Sequence, residues 1–417
     1  MKINLSKLDL INKWLLVLMG FVIPLSTAAT NVVLGLVLLF WVFDNISDRF
    51  KRWVSVLKTN PVALMGLIFF LIYVAGMLYT RGEKERVYES LVDGARFLFI
   101  SLAMIYVKDK QDYSRLLFSF SLAMGLTLLC SCLLWMDRLP GFIPVKGNLL
   151  DCNVFLNHIA QNLFMAYMAF LAAVRARAAN GYGQKLLWGI FSLLALANIL
   201  FMVGGMTGHL VSGILFLYFF ISWDRRKSLV AAGSVLLILA VFAWMNPSNS
   251  IFLRSQRMIE EIKAWEYGKK ASSQSSSGLR LEFYTNTVKL IKENPVFGTG
   301  TGSFENAYLS FAKNAGMNPT DNPHNDYLMT TAHFGFVGLA VLLGFFLVQW
   351  RSAGFFQDKT KTFMARGFVL TIFFAALVSS PLQDHAEGWF FALMSACLFS
   401  GSGAGPVFWG KREVLPQ

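Results

Sequence analysis

Residues 115–136 read RLLFSFSLAMGLTLLCSCLLWM, with Arg115 at the edge and no charge after it. At a rise of about 1.5 Å per residue, such a run is long enough to cross a hydrocarbon core about 30 Å thick. Apolar residues fill it on all sides instead of lying in one stripe. That is the pattern of a helix facing lipid, which must satisfy its backbone hydrogen bonds internally. Eleven further apolar segments flank it, at 14–25, 29–43, 62–79, 91–107, 158–174, 186–203, 208–223, 228–245, 327–349, 366–380 and 386–403. Only 15% of the residues are charged, against about a quarter in a soluble chain. The predicted fold is therefore all-α, a polytopic membrane protein with about 12 transmembrane helices. The first two and last two segments are short for a straight span of ~20 residues.

The formal charge of +13 does not point to nucleic acid, because the basic residues sit mainly between apolar runs. With the N-terminus in the cytoplasm, 22 Lys/Arg fall on the cytoplasmic side and six in the short outer loops and adjoining helix ends. Every cytoplasmic loop agrees with the even helix count, so both termini are expected in the cytoplasm of a bacterial inner membrane. The N-terminus resembles a signal peptide (Lys2, Lys7, Lys13, an apolar run, then Ser26-Thr27-Ala28-Ala29), and the continuing apolar runs favour an uncleaved first helix. The chain divides into helices over 1–245, a large outer loop over 246–326, and helices plus a cytoplasmic tail over 327–417. Cys130, Cys132, Cys152 and Cys397 have no metal-ligand spacing.

The outer loop has structure of its own. Residues 251–267 show helical spacing through Ile251, Met258, Ile262 and Trp265, and 271–278 are a Ser/Gln/Gly link. A second amphipathic helix is predicted over 279–293, with Leu281, Tyr284, Val288 and Ile291 on one stripe, closed by Asn294-Pro295. Gly298-Thr299-Gly300-Thr301-Gly302 then makes a turn. It lacks the Lys-Ser/Thr and the preceding strand of a phosphate-binding loop. Ser303 is expected to cap a third helix over 304–313.

Chemistry concentrates at Asp321-Asn322-Pro323-His324-Asn325-Asp326. Asn322 as N-cap and Pro323 at the first helical position would put His324 in the first turn of a membrane helix. There the helix dipole favours an anion and a neutral imidazole able to accept a proton. Arg280 opens the second amphipathic helix, and its fork could grip a phosphate. Arg254 and Arg257 are further loop cations, and Lys289 and Lys292 read as a solvated face. Lys146, Asn153, Asn157, His158, Asn162, His209, Arg96, Asp384 and His385 all lie toward the outer side. Their common side predicts one outward-opening polar cavity. No Asp or Glu lies near the middle of a span, which argues against a proton-driven transporter. No metal motif appears in the outer loops, and no nucleotide motif on the cytoplasmic side.

Three stretches together resemble the bacterial O-antigen ligase family, which shares a domain with O-antigen polymerases. They are Gly278-Leu279-Arg280-Leu281-Glu282-Phe283 through Lys292-Glu293-Asn294-Pro295; Phe297 through Phe304; and Pro323-His324-Asn325-Asp326-Tyr327-Leu328 with Phe334-Gly335-Phe336-Val337-Gly338-Leu339. The resemblance implies a GT-C-like membrane glycosyltransferase. Its donor would be a polysaccharide on undecaprenyl diphosphate, its acceptor a sugar hydroxyl of lipid A–core, with membrane lipid around it and no nucleic acid. It implies a loop arginine at Arg280 and an essential histidine at His324. Lower in rank as donor or glycan contacts are Arg254, Arg257, Lys146, His158, His209, Arg96 and Asn325. The expected reaction is inverting, with no cofactor or metal. Met206-Thr207-Gly208-His209 stands where the family often has an Arg-Thr-Gly pattern, so a donor contact is lost, moved to His209, or supplied by Arg254 or Arg257. His333 stands where relatives often carry a carboxylate, and no role is assigned to it. The rival readings are an O-antigen polymerase, a protein O-oligosaccharyltransferase using the same donor, and a non-enzymatic lipid-linked glycan transporter.

Overall fold

The computed structural model describes residues 7–43, 45–222, 233, 276–315 and 318–401. Within them the chain is all-α, with one isolated bridge between Asn148 and Asp151 and no sheet. The helices are α1 Lys7–Val22, α2 Thr27–Phe43, α3 Ile46–Thr59, α4 Pro61–Gly76, α5 Lys84–Met104, α6 Lys110–Trp135, α7 His158–Ala178 and α8 Tyr182–Ala197, which runs into a π-turn at Asn198–Met202. Then come α9 Met206–Ile221, α10 Ser276–Glu293, α11 Phe304–Ala315, α12 Asp326–Ala353, α13 Lys359–Ala375 and α14 His385–Phe399. Each predicted apolar segment inside the described residues falls on one of these helices. The segment 228–245 except Gly233, the helix predicted over 251–267, and Arg254 and Arg257 lie outside the described residues.

By length and composition, α6, α7, α8 with its π-turn, and α12 can each cross a membrane. A fifth span results if α2 and α3, bent by 111° at their junction, are counted together. Helix α3 was not foreseen as a helix. It is amphipathic, and it is anchored by Arg49 and Arg52, which both grip Asp9 of α1 (3.2 and 2.7 Å). Asp9 and Arg49 are fully buried, so their mutual pairing and the Arg49 bond to the Phe40 carbonyl are what permit the burial. Helix α7 is the axis of one half of the bundle, buried along most of its length beneath α8, α9 and α13. In the other half, α4, α5, α12 and α14 meet at an aromatic cluster of Tyr73, Phe97, Phe334, Phe345 and Phe391. Edge-to-face contacts among these rings add to their area burial.

Helix α12 is broken near its start. Gly335 has φ 63°, a conformation that costs an L side chain strain, and a Cβ there would stand 2.1 Å from the Val296 carbonyl oxygen. The break opens the helix to the segment 295–300. The Thr299 and Gly300 amides donate to the Ala332 and His333 carbonyls (2.9 and 2.8 Å), and the Phe336 and Val337 amides donate to Pro295 and Val296 (2.8 and 3.3 Å). A helix interrupted within an apolar span must have its freed backbone groups satisfied by protein, and here the segment 295–300 satisfies them.

Candidate active site

The Gly-Thr-Gly-Thr-Gly run is a threaded strap. Gly298, Gly300 and Gly302 all have positive φ (67°, 95° and 68°). A Cβ on each would strike backbone, at His333, Thr80 and Arg86 respectively. The two threonines between them are buried. Thr301 Oγ1 donates to the Tyr73 carbonyl, and Thr299 Oγ1 lies 3.0 Å from the Ala332 carbonyl and 2.6 Å from Ser303 Oγ. The amides of 299, 300 and 301 are spent on the carbonyls of Ala332, His333 and Gly76, so this glycine-rich turn presents none of those donors to a phosphate. The Ser303 hydroxyl turns back to the Gly300 carbonyl (2.6 Å) instead of capping α11 as expected. The first amide of α11, on Phe304, points instead at His333 Nε2 (3.4 Å). His333, which had no assigned role, thus helps dock α11 on α12.

Helix α10 carries Arg280 toward His324. The expected stripe of Leu281, Tyr284, Val288 and Ile291 is corrected: the buried face runs through Phe283, Thr287, Leu290 and Ile291, and Val288 is exposed. Tyr284 lies instead at the site. Its hydroxyl donates toward the carbonyls of His324 and Leu377 (3.1 and 3.2 Å). Arg280, one turn earlier on the same face, is thereby brought to His324. Glu282 holds the facing loop by accepting from the Asn318 backbone and side-chain nitrogens (2.9 and 3.2 Å).

His324 is not in the first turn of a helix. The cap is Asn325, whose side chain accepts from the Leu328 amide, and α12 begins at Asp326. His324 precedes it with φ 56°, one of two non-glycine residues with positive φ among those described. Its amide donates to Asn322 Oδ1 (2.7 Å), which also accepts from Ser380 Oγ (2.7 Å). Asn322-Pro323 thus forms an Asx-type turn that presents the imidazole, where a helix start was expected. The end of α12 is also not an open anion site: Asn325 caps it, and the buried Asp326 carboxylate in its first turn accepts from the Leu382 amide (3.0 Å).

Burial, and then the Arg280 guanidinium, hold the His324 imidazole below its usual pKa, against a smaller opposing pull from Asp321. Arg280 is half-buried and has no carboxylate partner among the described residues. His324 borders a cavity of about 360 Å³. Five carboxylates line that cavity: Glu89, Asp93, Glu305, Asp321 and Asp384. Arg86 ties three acidic side chains together across it, Glu305 at 2.5 Å, Glu89 at 2.9 Å and Asp321 at 3.7 Å. Burial pushes Asp384 up to about 6, against the pull of Arg96.

Residues 191–343 match the family model Wzy_C, described as O-Antigen ligase. This segment is similar to the O-antigen ligase family. The match supports an enzymatic, ligase-type function and takes in Arg280, the glycine strap and His324. No curated protein matches the chain.

Around the ligase segment, the other expected site residues are dispersed. Lys146, His158 and His209 do not line the cavity at His324. His158 lies 3.6 Å from Asp151, which accepts from the Gly204 amide, and His209 Nδ1 is 2.7 Å from the Gly205 carbonyl. These form a separate loop cluster at the start of α7 and α9, so the single polar cavity expected from sequence does not gather them. Met206 is exposed at the start of α9. Arg96 is buried: it donates to the carbonyls of Leu382, Gln383 and Asp384 (3.2, 2.7 and 3.1 Å) and pairs with Asp93 at 2.7 Å. That shapes the loop before α14. Asn325 spends its side chain on Leu328 and the Leu377 carbonyl. Sequence reading missed Arg86, Glu305 and Tyr284 as site residues. The signal for Arg86 was its position among outer-loop cations, which topology alone had absorbed.

Proposed function

We propose that this ligase-family enzyme moves a polysaccharide from undecaprenyl diphosphate to a sugar hydroxyl of lipid A–core, at the outer face of a bacterial inner membrane. We further read the bundle as a GT-C-like fold of about a dozen spans with both termini in the cytoplasm. The observation that carries this reading is the pairing of Arg280, free of any described carboxylate, with a neutral-leaning His324 beside a cavity. In the proposed reaction the donor diphosphate sits against Arg280. The acceptor enters the acid-lined cavity, which repels phosphate and accepts hydrogen bonds from sugar hydroxyls. The acceptor oxygen attacks the anomeric carbon as the bond to the diphosphate breaks. The bonding electron pair leaves on the diphosphate oxygen, where Arg280 stabilises the growing charge. His324 takes or steers the hydroxyl proton. Displacement from the side opposite the leaving group inverts the anomeric centre.

The test is a reaction of the purified full chain with a defined undecaprenyl-diphosphate glycan and lipid A–core, with chelator present. The expected product has the mass of glycan joined to lipid A–core. Longer glycan still on its carrier would make the enzyme a polymerase, and loss of product with chelator would overturn the metal-free reading.

The pH profile gives a second expectation. If neutral imidazole is the active form, activity falls only when pH drops through the depressed pKa of His324. The acid limb of kcat/KM therefore lies below 6.5. Asp321 opposes that depression, so Asp321→Asn should move the limb lower still. A limb that moves upward would contradict the assignment.

A further inference from the structure

The left-handed turn at His324 is tied at both of its backbone groups. The amide donates to Asn322 Oδ1 at 2.7 Å, and the carbonyl accepts from the Tyr284 hydroxyl at 3.1 Å. At φ 56° an L side chain is strained, and such a conformation persists only where its surroundings over-determine it. The same Tyr284 hydroxyl reaches the Leu377 carbonyl (3.2 Å), just past the end of α13, which accepts also from Asn325 Nδ2 (2.9 Å). A phenol has a single proton to give. Without it the Leu377 carbonyl keeps Asn325, whereas the His324 carbonyl loses its Tyr284 donor.

Tyr284 does not hold the turn from a loose support. Two residues earlier, Glu282 accepts from the backbone and side-chain nitrogens of Asn318 (2.9 and 3.2 Å). Between them the Phe283 ring lies 6.4 Å from the His324 ring, centroid to centroid. One turn of α10 thus fastens the loop 318–324 at both ends, and Arg280 opens that same turn. A change in how α10 meets the loop therefore changes the spacing of Arg280 and His324. Burial pushes the Tyr284 phenol above its ordinary pKa, against the pull of Arg280 and Asn325. The hydroxyl keeps its proton at neutral pH and remains a donor.

We propose that Tyr284 is a positioning residue for sugar transfer, whose hydroxyl sets the His324 imidazole beside Arg280 by holding the His324 carbonyl. The inference rests on the reading of Arg280 and His324 as the transfer site. Tyr284 acts on the reaction through the turn, by way of a backbone group. Misplacing a reacting group by about 1 Å is enough to cost about 10²-fold in rate.

The test compares Tyr284→Phe with Tyr308→Phe in the purified full chain. Both remove one hydroxyl from a packed ring, but the Tyr308 hydroxyl bonds to Asn286 Nδ2 (3.2 Å) and not to the turn. Tyr284→Phe should lower kcat roughly 10–100-fold, with acceptor KM and melting temperature unchanged. It should also raise the His324 pKa toward 6.5, followed by NMR of a histidine-labelled sample, because burial and Arg280 both act less on a relaxed turn. Tyr308→Phe should change neither kcat nor the titration. An unmoved His324 titration in Tyr284→Phe would overturn the proposal. So would equal effects in Tyr308→Phe, or a kcat loss matched by a fall in melting temperature. The titration needs no turnover, so a chain that transferred no glycan would refute the reaction while His324 still reported on the clamp.

Discussion

Replacing His324 by asparagine is expected to lower kcat for sugar transfer by about 10²–10⁴-fold, the usual range for a positioned acid–base group. Asparagine is the informative choice because of the backbone. At φ 56° an alanine would pay left-handed strain of about 1–2 kcal/mol, whereas asparagine tolerates that conformation. His324→Asn therefore removes the imidazole and spares the turn held by Asn322 and Tyr284. His324→Gln adds a distinction, since glutamine can accept a hydrogen bond but cannot take a proton at neutral pH. Substantial activity in the Gln variant would assign His324 to orienting the acceptor. Full activity of purified His324→Asn on lipid-linked donor would remove His324 from the mechanism altogether.

Arg280→Ala should cost about 10²–10³-fold, the scale for removing one group that stabilises developing negative charge. The loss should fall mainly in kcat, because the charge on the leaving diphosphate is greatest in the transition state. Arg280→Lys restores the charge without the two-pronged fork and should recover only part of the rate. The His324 titration supplies an independent readout. Arg280 helps depress the imidazole pKa, so its removal should raise that pKa, followed by NMR of a sample labelled at histidine. An unchanged His324 titration in Arg280→Ala would mean that the two groups are not coupled, and the proposed site would lose its basis.

The membrane helices were legible because lipid imposes a simple rule on composition, and runs such as 115–136 obey it over their whole length. Helix α3 was not legible as a helix. Its charges read as a loop, and only Asp9, some forty residues earlier, reveals why Arg49 can be buried there with Arg52 beside it. The start of α12 was misplaced by three residues because Asn322 and Asn325 are both good caps, and local chemistry cannot choose between them. The choice is made by distant partners, Ser380 and Tyr284 on one side and Leu377 on the other. The stripe on α10 was displaced for a related reason. Tyr284 has the hydrophobicity of a core residue, but its hydroxyl is used at the His324 turn. Arg280 and His324 were singled out one at a time as candidates, whereas the acid-lined cavity beside His324 was not foreseen. Its walls come from α5, α11 and the loop before α14, which no spacing in the sequence brings together.

The threading of 295–300 through the break in α12 has a consequence for biogenesis. Until the strap docks, the carbonyls of residues 332 and 333 and the amides of 336 and 337, inside an apolar helix, have no partners. An orphaned peptide group in hydrocarbon costs several kcal/mol. The segment 326–353 should therefore not mature as an independent span: its release from the insertion machinery and the docking of the preceding strap become a single event. A chain cut between residues 303 and 326 would have to recover both halves together to regain a site at His324.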